Sequence, residues 1–423
     1  MDPSTGGGPK QSLPIEIPPE EVGKPHRFWD SQPVPSVSEA LPEDCGVIET
    51  KSIDEVRKTP VPLPDTFEWV ELGEEDLQEI YELLSKHYVE DNASCFRFEY
   101  TMESLKWAIF PPDSKRSWTI GIKTMVKTPA LDTKATAIGE RKAQRKLVAF
   151  ISGIPVKINI FGNRIAGGEV NFLCVHKKLR SRRLAPILIK ELTRRINLDG
   201  VWHALYTAGI FIPRPVTDCR YYHRSMNVAK LVSIGFSALR AGESIEEAKK
   251  KAQLPDHFTV PGIRPMEEKD VASVTQLLNN GFVKDKIKLY TELNEDDVCH
   301  WLLTKQGAVY TYVKETEGKV TDFFSFYELN SKVLRFNQEY DLLKAAYNYY
   351  CNGTTMSRKQ LLEQSIIAAN ILKYDVFNAL DLNHNFECFQ ELQFGPGDGS
   401  LKYYLYNYKC PLINPNENGV ILS

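Results

Sequence analysis

The chain has 423 residues, of which 42% are hydrophobic and 25% are charged, which is ordinary globular composition with room for two domains. The formal net charge of −3 provides no overall positive field for nucleic acid. No apolar run reaches the ~18 residues of a membrane span, and the N-terminal stretch lacks the apolar core of a signal peptide. Eight scattered cysteines without a CxxC pair predict reduced thiols in a cytoplasmic protein without a metal site.

The first third of the chain changes character twice. Residues 1–25 are rich in Gly, Pro and Ser and predict a flexible tail, and the proline-rich residues 26–66 predict an extended arm. The stretch EEDLQEIYELLSKHY (74–88) then predicts an amphipathic helix. Strands are predicted at 117–123, 146–155 and 170–175, with a solvated hairpin or loop between the first two.

A basic cluster separates the third strand from a second helix, in EVNFLCVHKKLRSRRLAPILIKELTRR (169–195). Five Lys or Arg residues fall within 177–183, and Pro186 suits the first turn of a helix over 187–196. A helix N-terminus beside arginines is a site for phosphate groups, although a solvated basic turn is the simpler alternative. The stretch RSRRLA (180–185) resembles the R/Q-x-x-G-x-G/A pyrophosphate loop of Gcn5-related acyltransferases, with Arg183 in place of the middle glycine.

Three pairs of similar segments recur in the same order along the chain. Residues 76–84 resemble 270–278, residues 147–152 resemble 320–325, and residues 201–209 resemble 374–382. The sequence therefore predicts an α/β protein made of two related halves. GPGDG (395–399) predicts a hairpin turn rather than a nucleotide loop. The predicted division is a tail at 1–25, a half at 26–236, a charged surface linker at 237–260, and a half at 261–423.

The wording of several motifs resembles that of the eukaryotic glycylpeptide N-myristoyltransferases. Besides 169–195, the matching motifs are FWDSQPV (28–34), YVED (88–91), FRFEY (96–100), YTAG (206–209), YYHRS (221–225), TDFFSFY (321–327), YDVFNALDL (374–382) and FGPGDGSLKYYLYNYKC (394–410). This resemblance implies two pseudosymmetric Gcn5-related acetyltransferase-like halves around a saddle-shaped mixed sheet. It also implies transfer of myristate from myristoyl-CoA to an N-terminal glycine by a monomer, without a metal ion.

The resemblance implies that the first half, 26–236, binds myristoyl-CoA as a co-substrate. The implied binding residues are His26, Arg27, Phe28, Trp29, Phe172, Leu173, Cys174, Val175, Arg180, Ser181, Arg182, Arg183, Leu184, Ala185 and Pro186. Phe172 and Leu173 should offer backbone N–H groups to the thioester oxygen. Cys174 is not expected to act as a nucleophile, because its apolar surroundings disfavour a thiolate.

The resemblance implies that glycine-first peptides bind mainly to the second half. The amine should lie between Asn171 and Thr207, and the main-chain carboxylate of Ser423 should act as the base. The implied peptide contacts are Tyr88, Val89, Asp91, Phe96, Phe98, Tyr100, Tyr206, Tyr222, His223, Ser325 and Asp398. The acidic run that the family often has after YVE is here Asp91-Asn92-Ala93-Ser94, which lacks two of the expected carboxylates.

Two other functions fit part of the sequence. A general acetyl-CoA acyltransferase would share the phosphate loop without needing the FW arm or the chain end. A non-catalytic acyl-binding or scaffold protein could keep the fold, although the intact FLCV and YTAG motifs argue against it. The absence of a GxSxG motif argues against a serine hydrolase.

Overall fold

The computed structural model describes residue 15 and residues 17–91, 93–125, 145–335 and 339–422. Most of the predicted tail and most of the predicted loop after the first strand lie outside these ranges. Residues 17–66 contain a two-residue strand and single 3-10 turns, which confirms the extended arm.

Eighteen strands and nine α-helices make up the described chain. The strands are β1 Gly46–Val47, β2 Phe67–Glu71, β3 Phe96–Glu99, β4 Thr119–Met125, β5 Arg145–Ile160, β6 Asn163–Val175, β7 His203–Ala208, β8 Thr217–Ser225, β9 Ile263–Pro265, β10 Leu289–Thr291, β11 Val309–Thr316, β12 Lys319–Glu328, β13 Asn330–Val333, β14 Leu342–Leu343, β15 Ala345–Gly353, β16 Val376–Leu380, β17 Gly395–Tyr406 and β18 Tyr408–Lys409. The helices are α1 Leu77–His87, α2 Met102–Ile109, α3 Leu184–Leu198, α4 Val228–Ser233, α5 Ile245–Ala252, α6 Val271–Lys284, α7 Glu295–Leu302, α8 Arg358–Ile371 and α9 Phe386–Phe389.

The large sheet has a nearly symmetric strand order. Its path is β2-β4-β5-β6-β7-β17-β8-β16-β15-β12-β11-β9. The strands β2, β4, β5, β6 and β7 on one side correspond to β9, β11, β12, β15 and β16 on the other. The corresponding pairs β6–β7 and β15–β16 are both parallel, and their neighbours are antiparallel. The prediction of two pseudosymmetric halves around one mixed sheet is confirmed.

The two central strands cross between the halves. Strand β17, from the end of the chain, lies beside β7, whereas β8 lies beside β16. Each half therefore completes the sheet of the other, and the junction between β17 and β8 forms the middle of the molecule.

Helices cover both faces of this sheet. On one face, α3 buries Leu188, Leu192 and Ile196 against β4 and β5. On the same pattern, α8 buries its apolar residues against β12 and β16. The opposite face carries α1, α2, α6 and α7, whose core also includes the last described residues, 420–422. Helices of both halves and the last described residues of the chain therefore share one hydrophobic core.

Several elements differ from the prediction. Strands β5 and β6 are longer than predicted and form one long hairpin. Residues 158–160, at the end of β5, also pair with β10 of the other half. Residues 395–399 do not turn a hairpin, because they begin β17 and form a bulge against β8. The predicted charged linker contains α5, which begins with a capping box formed by Ser244 and Glu247.

Candidate functional site

The FW arm lies across the N-terminal half. The Phe28 and Trp29 rings meet edge to face at 5.0 Å, and Trp29 stacks on Tyr206 at 5.6 Å. Tyr206 in turn stacks on Tyr404 of β17 at 5.2 Å. The Lys190 ammonium of α3 lies 5.9 Å from the Phe28 ring. These contacts hold the arm between α3 and β7, and they place Tyr206, a predicted peptide contact, with the predicted acyl-CoA residues.

The beginning of the arm is held by an ionisable pair. His26 Nε2 lies 3.1 Å from Glu21 Oε2, and both side chains are largely buried. Arg27 is exposed beside them. The arm therefore has a fixed start and presents the Arg27 side chain toward solvent.

The basic cluster forms a 3-10 turn at Lys177–Arg182, followed directly by α3. His176 begins the turn, and its Nδ1 accepts a hydrogen bond from the Lys178 N–H at 3.2 Å. Arg180 donates to the His87 carbonyl oxygen at 2.8 Å, which ties the turn to the end of α1. Arg183 has a φ of 57°, in the left-handed region that favours glycine. Arg183 replaces the middle glycine of the related loop, and it keeps the left-handed backbone conformation that glycine adopts easily.

The turn presents its charges beside the amides that begin α3. Ser181, Arg182 and Arg183 are exposed, whereas Leu184 is buried and anchors the helix start. Ala185 and Pro186 occupy the first turn of the 15-residue helix. Unpaired amides and guanidinium groups together form an anion site of the kind that phosphate groups occupy.

Two neighbouring histidines lie partly buried beside this positive region. The His87 and His176 rings lie 3.9 Å apart. Burial, His176 and the nearby cations, including Arg180, lower the pKa of His87 to about 4. Burial and two lysines lower the pKa of His176 as well. Both imidazoles are therefore neutral near pH 7, and the positive charge here comes from lysine and arginine.

A β-bulge interrupts the pairing of β6 with β5 near the C-terminal end of β6. The register shifts between Phe150 and Ser152, which leaves both Phe172 and Leu173 opposite one residue of β5. Phe172 has a φ of 56°, and its N–H donates to Asn171 Oδ1 at 2.9 Å. Leu173 is 39% exposed although it lies in an apolar run. The bulge turns these backbone amides away from a regular ladder.

The parallel strands β6 and β7 part at the same place. Their last paired residues are Val170 and Tyr206, so Asn171 and Thr207 come directly after the point of separation. The gap between the strands opens toward Phe172 and Leu173. The structure therefore brings together four of the predicted catalytic residues at one wedge.

The cysteine beside this wedge is a buried thiol. Burial raises the pKa of the Cys174 thiol to about 12. Val175 is buried next to it. At neutral pH the thiol holds its proton, which disfavours attack on a thioester, and the absence of a nucleophilic role for Cys174 stays a prediction.

An aromatic wall covers the bulge from the other side. The rings of Tyr88 and Tyr100 lie 5.9 Å and 5.3 Å from the Phe172 ring. Burial raises the pKa of Tyr88 above its usual range, so its hydroxyl stays protonated. Phe98 packs against the same core, whereas Val89 is 50% exposed at the rim. These predicted peptide residues therefore adjoin the predicted acyl site.

Asp91 is occupied within its own loop. Its carboxylate accepts hydrogen bonds from the backbone N–H groups of Ala93, Cys95 and Phe96. Since these bonds order the loop before β3, the side chain is a positioning group for Phe96 in this structure. Phe96 meets the Phe236 ring at 5.8 Å.

His223 lies at the junction of β8 and β17. Its Nδ1 lies 2.6 Å from Asn378 Oδ1, and its ring meets Phe236 at 5.3 Å. Burial lowers the pKa of His223, while the Asn378 contact and Asp398 act in the opposite direction. A Cβ added to Gly397 would lie 2.2 Å from His223 Nε2, so this strand must approach closely. Asp398 is exposed beside the histidine.

Two predicted peptide contacts point elsewhere. Tyr222 is 1% exposed and packs against Phe389 at 4.7 Å, on the face of β8 opposite to His223. Ser325 is fully buried, and its hydroxyl donates to the Tyr350 carbonyl at 2.7 Å. The structure does not bring either side chain together with His223 and Asp398.

The end of the chain passes into the core between the two halves. The Gly419 N–H donates to the Leu289 carbonyl, and the Tyr403 hydroxyl donates to the Val420 carbonyl at 3.0 Å. Residues 420–422 are buried. Ser423, the predicted base, lies outside the described residues. The structure shows only that the residues before it, 420–422, are buried.

A cavity of about 210 Å³ adjoins this buried end. Glu169, Thr291, Trp301, Tyr349, Tyr350 and Ile421 are among its lining residues. Burial raises the pKa of Glu169 to about 7. The carboxyl group lies two residues before Asn171, on the strand that carries the bulge.

The motifs alone did not identify Glu169, Tyr221, Tyr327 or Tyr347. The last three line a second, small pocket together with Ile421. Strand alternation was the available signal for Tyr221, since residues two apart share a face and Tyr221 therefore accompanies His223. Nothing in the sequence places Tyr347 beside Tyr327, at 5.3 Å, because these residues belong to different strands.

Within the described ranges, no three His, Cys, Asp or Glu side chains are arranged to hold a metal ion. None of the helices in that part of the chain is long and apolar enough to cross a membrane.

Comparison with known proteins places the chain in a family. Residues 47–219 match the family model described as the N-terminal domain of myristoyl-CoA:protein N-myristoyltransferase, and residues 233–420 match that of its C-terminal domain. A glycylpeptide N-tetradecanoyltransferase of Dictyostelium discoideum is 44% identical, covering 94% of this chain and 93% of its own. Glycylpeptide N-tetradecanoyltransferase 1 of Arabidopsis thaliana is 43% identical, with 94% and 89% covered.

A solved structure has the same fold. The N-myristoyltransferase of Saccharomyces cerevisiae with bound myristoyl-CoA superimposes with a TM-score of 0.84 at 34% identity, and 94% of each chain is covered. Two consecutive family models match most of the chain, two relatives are more than 40% identical to it, and a solved structure covers 94% of it. All of these matches point to one family. This chain therefore belongs to the myristoyl-CoA:protein N-myristoyltransferase family of acyltransferases.

Proposed function

We propose that this chain transfers a myristoyl group from myristoyl-CoA to the α-amino group of an N-terminal glycine. The bulge at Phe172 and Leu173 holds the thioester oxygen, and the main-chain carboxylate of Ser423 takes a proton from the amine. The observation that carries this proposal is the coincidence of the bulge with the point where β6 and β7 separate. A thioester laid in that gap meets backbone amides on one side and an open strand edge on the other.

The nucleotide end of the co-substrate fits the basic turn. Its phosphates would lie against the exposed guanidinium groups of Arg182 and Arg183 and the first amides of α3. Charge-assisted hydrogen bonds of this kind contribute about 1.5–3 kcal/mol each. The FW arm, stacked on Tyr206, would then cover the pantetheine portion. We accordingly assign acyl-CoA binding to the half at 26–236.

The peptide would enter along the aromatic wall and the β8–β17 junction. Tyr88 and Tyr100 would flank the first residues, and His223 and Asp398 would meet residues that follow the glycine. Any residue with a Cβ in first place would crowd the gap between Asn171 and Thr207. Of these residues only Asp398 belongs to the half at 261–423, so we assign peptide binding to residues of both halves around the β8–β17 junction. We retain the prediction of a cytoplasmic monomer as part of the proposal.

The chemical step forms an amide bond and breaks the thioester. The neutral amine attacks the carbonyl carbon, and the developing oxyanion accepts from the Phe172 and Leu173 amides. The Phe172 N–H now donates to Asn171 Oδ1, an acceptor that the oxyanion would replace. The tetrahedral intermediate then expels CoA as a thiolate, and the thiolate takes up the second proton that the nitrogen loses as the amide forms.

Deprotonation of the glycine ammonium is the difficult part. An ordinary terminal carboxylate has a pKa of ~3.5 and a peptide amine ~8, so the transfer costs about 6 kcal/mol in water. Burial disfavours both charged groups, which raises the pKa of the carboxylate, lowers that of the ammonium and reduces this cost. The inward path of residues 420–422 supports this assignment, because it leads the chain end into a core.

Acylation of synthetic peptides tests the function. We expect mass spectrometry to find a myristoyl group on the N-terminus of a Gly-first peptide incubated with the protein and myristoyl-CoA. A matched Ala-first peptide and acetyl-CoA should give little product. Equal use of acetyl-CoA would instead indicate a general acetyltransferase, and absence of any product despite acyl-CoA binding would indicate a scaffold.

A further inference from the structure

A short ladder joins the N-terminal arm to the strand that follows β17. Strand β1 pairs with β18 in antiparallel fashion, with Gly46 opposite Lys409 and Val47 opposite Tyr408. The next position of this register places Cys45 opposite Cys410. Both cysteines are free in the structure. Two thiols therefore flank one ladder, although they are far apart in the sequence.

The position in the ladder suits a covalent link. The Ile48 N–H donates to the Asn407 carbonyl, which marks that pair as hydrogen-bonded. Because hydrogen-bonded and non-hydrogen-bonded pairs alternate in an antiparallel ladder, Cys45 and Cys410 form a non-hydrogen-bonded pair. Such pairs have Cα atoms about 4.5 Å apart, within the ~4.4–6.8 Å range of disulfides.

The two cysteines share hydrophobic surroundings. Cys45 packs against the core cluster that contains Cys410 and Tyr408. Burial raises the pKa of the Cys410 thiol to about 12, and Cys45 adds to this effect through its charge. Burial and Asp44 raise the pKa of Cys45. The two groups thus interact electrostatically, and both hold their protons under neutral reducing conditions.

We propose that Cys45 and Cys410 are a redox modification site. The two residues form an intramolecular disulfide when a small disulfide such as glutathione disulfide acts as the oxidant. The partly exposed Cys45 reacts first: its thiolate attacks one sulfur of glutathione disulfide and releases one glutathione. The Cys410 thiolate then attacks the Cys45 sulfur and releases the second glutathione. Each thiol gives up one proton, and the two electrons reduce glutathione disulfide.

The link would fasten the arm to the centre of the molecule. Next to the ladder, the Asn407 N–H donates to the Pro33 carbonyl, and the Asn407 side chain bonds to the Glu49 backbone in both directions. Gln32 accepts from the Tyr406 hydroxyl at 3.0 Å. Pro33 lies four residues beyond Trp29, so the disulfide would restrain the segment that carries the FW arm. It would also close a loop of nearly the whole chain, which favours stabilisation.

Mass spectrometry of the intact protein tests the proposal. The full chain is incubated with excess glutathione disulfide at about pH 8.5, where a larger fraction of each thiol is ionised than at pH 7. We expect the loss of two hydrogen atoms, a proteolytic peptide that joins Cys45 to Cys410, and two fewer titratable thiols in denaturant. The unfolding temperature should rise by a few degrees and return when dithiothreitol is added.

Matched variants identify the pair. Cys45→Ser should abolish the linked peptide, and Cys410→Ser should retain one glutathione on Cys45 because no second thiol displaces it. Cys95→Ser, at a partly exposed cysteine away from the ladder, should leave the link unchanged. A stable glutathione adduct on Cys45 of the parent chain, a link to a different cysteine, or no reaction at all would overturn the proposal.

Discussion

Single residues at the edge of the wedge combine backbone geometry with charge. Arg183 keeps a left-handed conformation in which a Cβ is unfavourable, yet it places a guanidinium beside the start of α3. Glu169 keeps a carboxyl group in a protein cavity, where its charged form is disfavoured. In both cases the folded chain bears a local cost, and each cost can be measured by one substitution.

Replacing Arg183 separates charge from strain. Arg183→Ala removes the guanidinium but keeps a Cβ at a φ of 57°, whereas Arg183→Gly removes both. We expect the glycine variant to be more stable than the alanine variant by about 1 kcal/mol in urea unfolding. Both should lose the same affinity for CoA in titration calorimetry, and added salt should reduce the difference from the parent. Equal stabilities would show that the position carries no strain.

Glu169 should make stability depend on pH. Because its pKa is about 7 when folded against 4.5 as the ordinary value, the folded state binds the proton more tightly. Its contribution to stability is therefore full at low pH and is lost as pH rises toward 7. We expect Glu169→Gln to exceed the parent by about 3 kcal/mol at pH 8 in urea unfolding.

The same comparison at pH 5 serves as the control. There the advantage of Glu169→Gln should fall below about 1 kcal/mol, since most Glu169 carboxyl groups keep their protons in the folded state. A difference that does not change between pH 5 and pH 8 would mean that Glu169 titrates normally.

At the scale of elements, the contact between β8 and β17 depends on a missing side chain. A Cβ at Gly397 would lie 2.2 Å from His223 Nε2 and 3.0 Å from the Tyr221 carbonyl, whereas a Cβ at Gly395 would meet nothing within 4 Å. The two glycines therefore provide a matched pair in one strand. Gly397 lies in the bulge between Pro396 and Ser400, where the backbone of β17 comes close to β8.

Gly397→Ala should move the histidine or part the strands. We expect a loss of about 1–3 kcal/mol in unfolding free energy and weaker peptide binding, with unchanged affinity for acyl-CoA because the basic turn is remote. Gly395→Ala should leave both quantities close to those of the parent. If the two variants have the same peptide affinity and the same unfolding free energy, the close approach at Gly397 affects neither peptide binding nor stability.

At the scale of the whole molecule, the last described residues return to the core beside β17. The last described residues are buried beside Tyr403 of β17 and the cavity that Glu169 lines. This route depends on the exchange of β17 between the halves, since β17 carries the chain to the middle of the sheet. A group at the chain end would be available to both substrates.

A C-terminal extension should separate binding from chemistry. Adding residues after Ser423 turns its carboxylate into an amide, so we expect kcat to fall by about 10²-fold or more while acyl-CoA still binds. Ser423→Ala keeps the main-chain carboxylate and should retain nearly full activity. Single-turnover kinetics compare the two, and an extended chain with unaltered kcat would direct the search for the base to Asp398 or His223.

Much of this protein follows from local sequence patterns. Apolar spacing at Leu77, Ile80 and Leu84 determines α1, and Pro186 after a basic turn marks the start of α3, because helix period and end preferences are local properties. The repeated segments indicate two related halves for the same reason. The motifs also locate the bulge residues, the arm and the basic turn.

Tertiary structure alone decided how these pieces meet. GPGDG has the composition of a turn, yet it begins β17 because pairing with β8 outweighs the local preference of its glycines. The exchange of β17 and β8, the pairing of β10 with β5, and the enclosure of Glu169 join segments far apart in the chain. Such contacts depend on which distant surfaces bury each other, so neither periodicity nor motif spacing contains them.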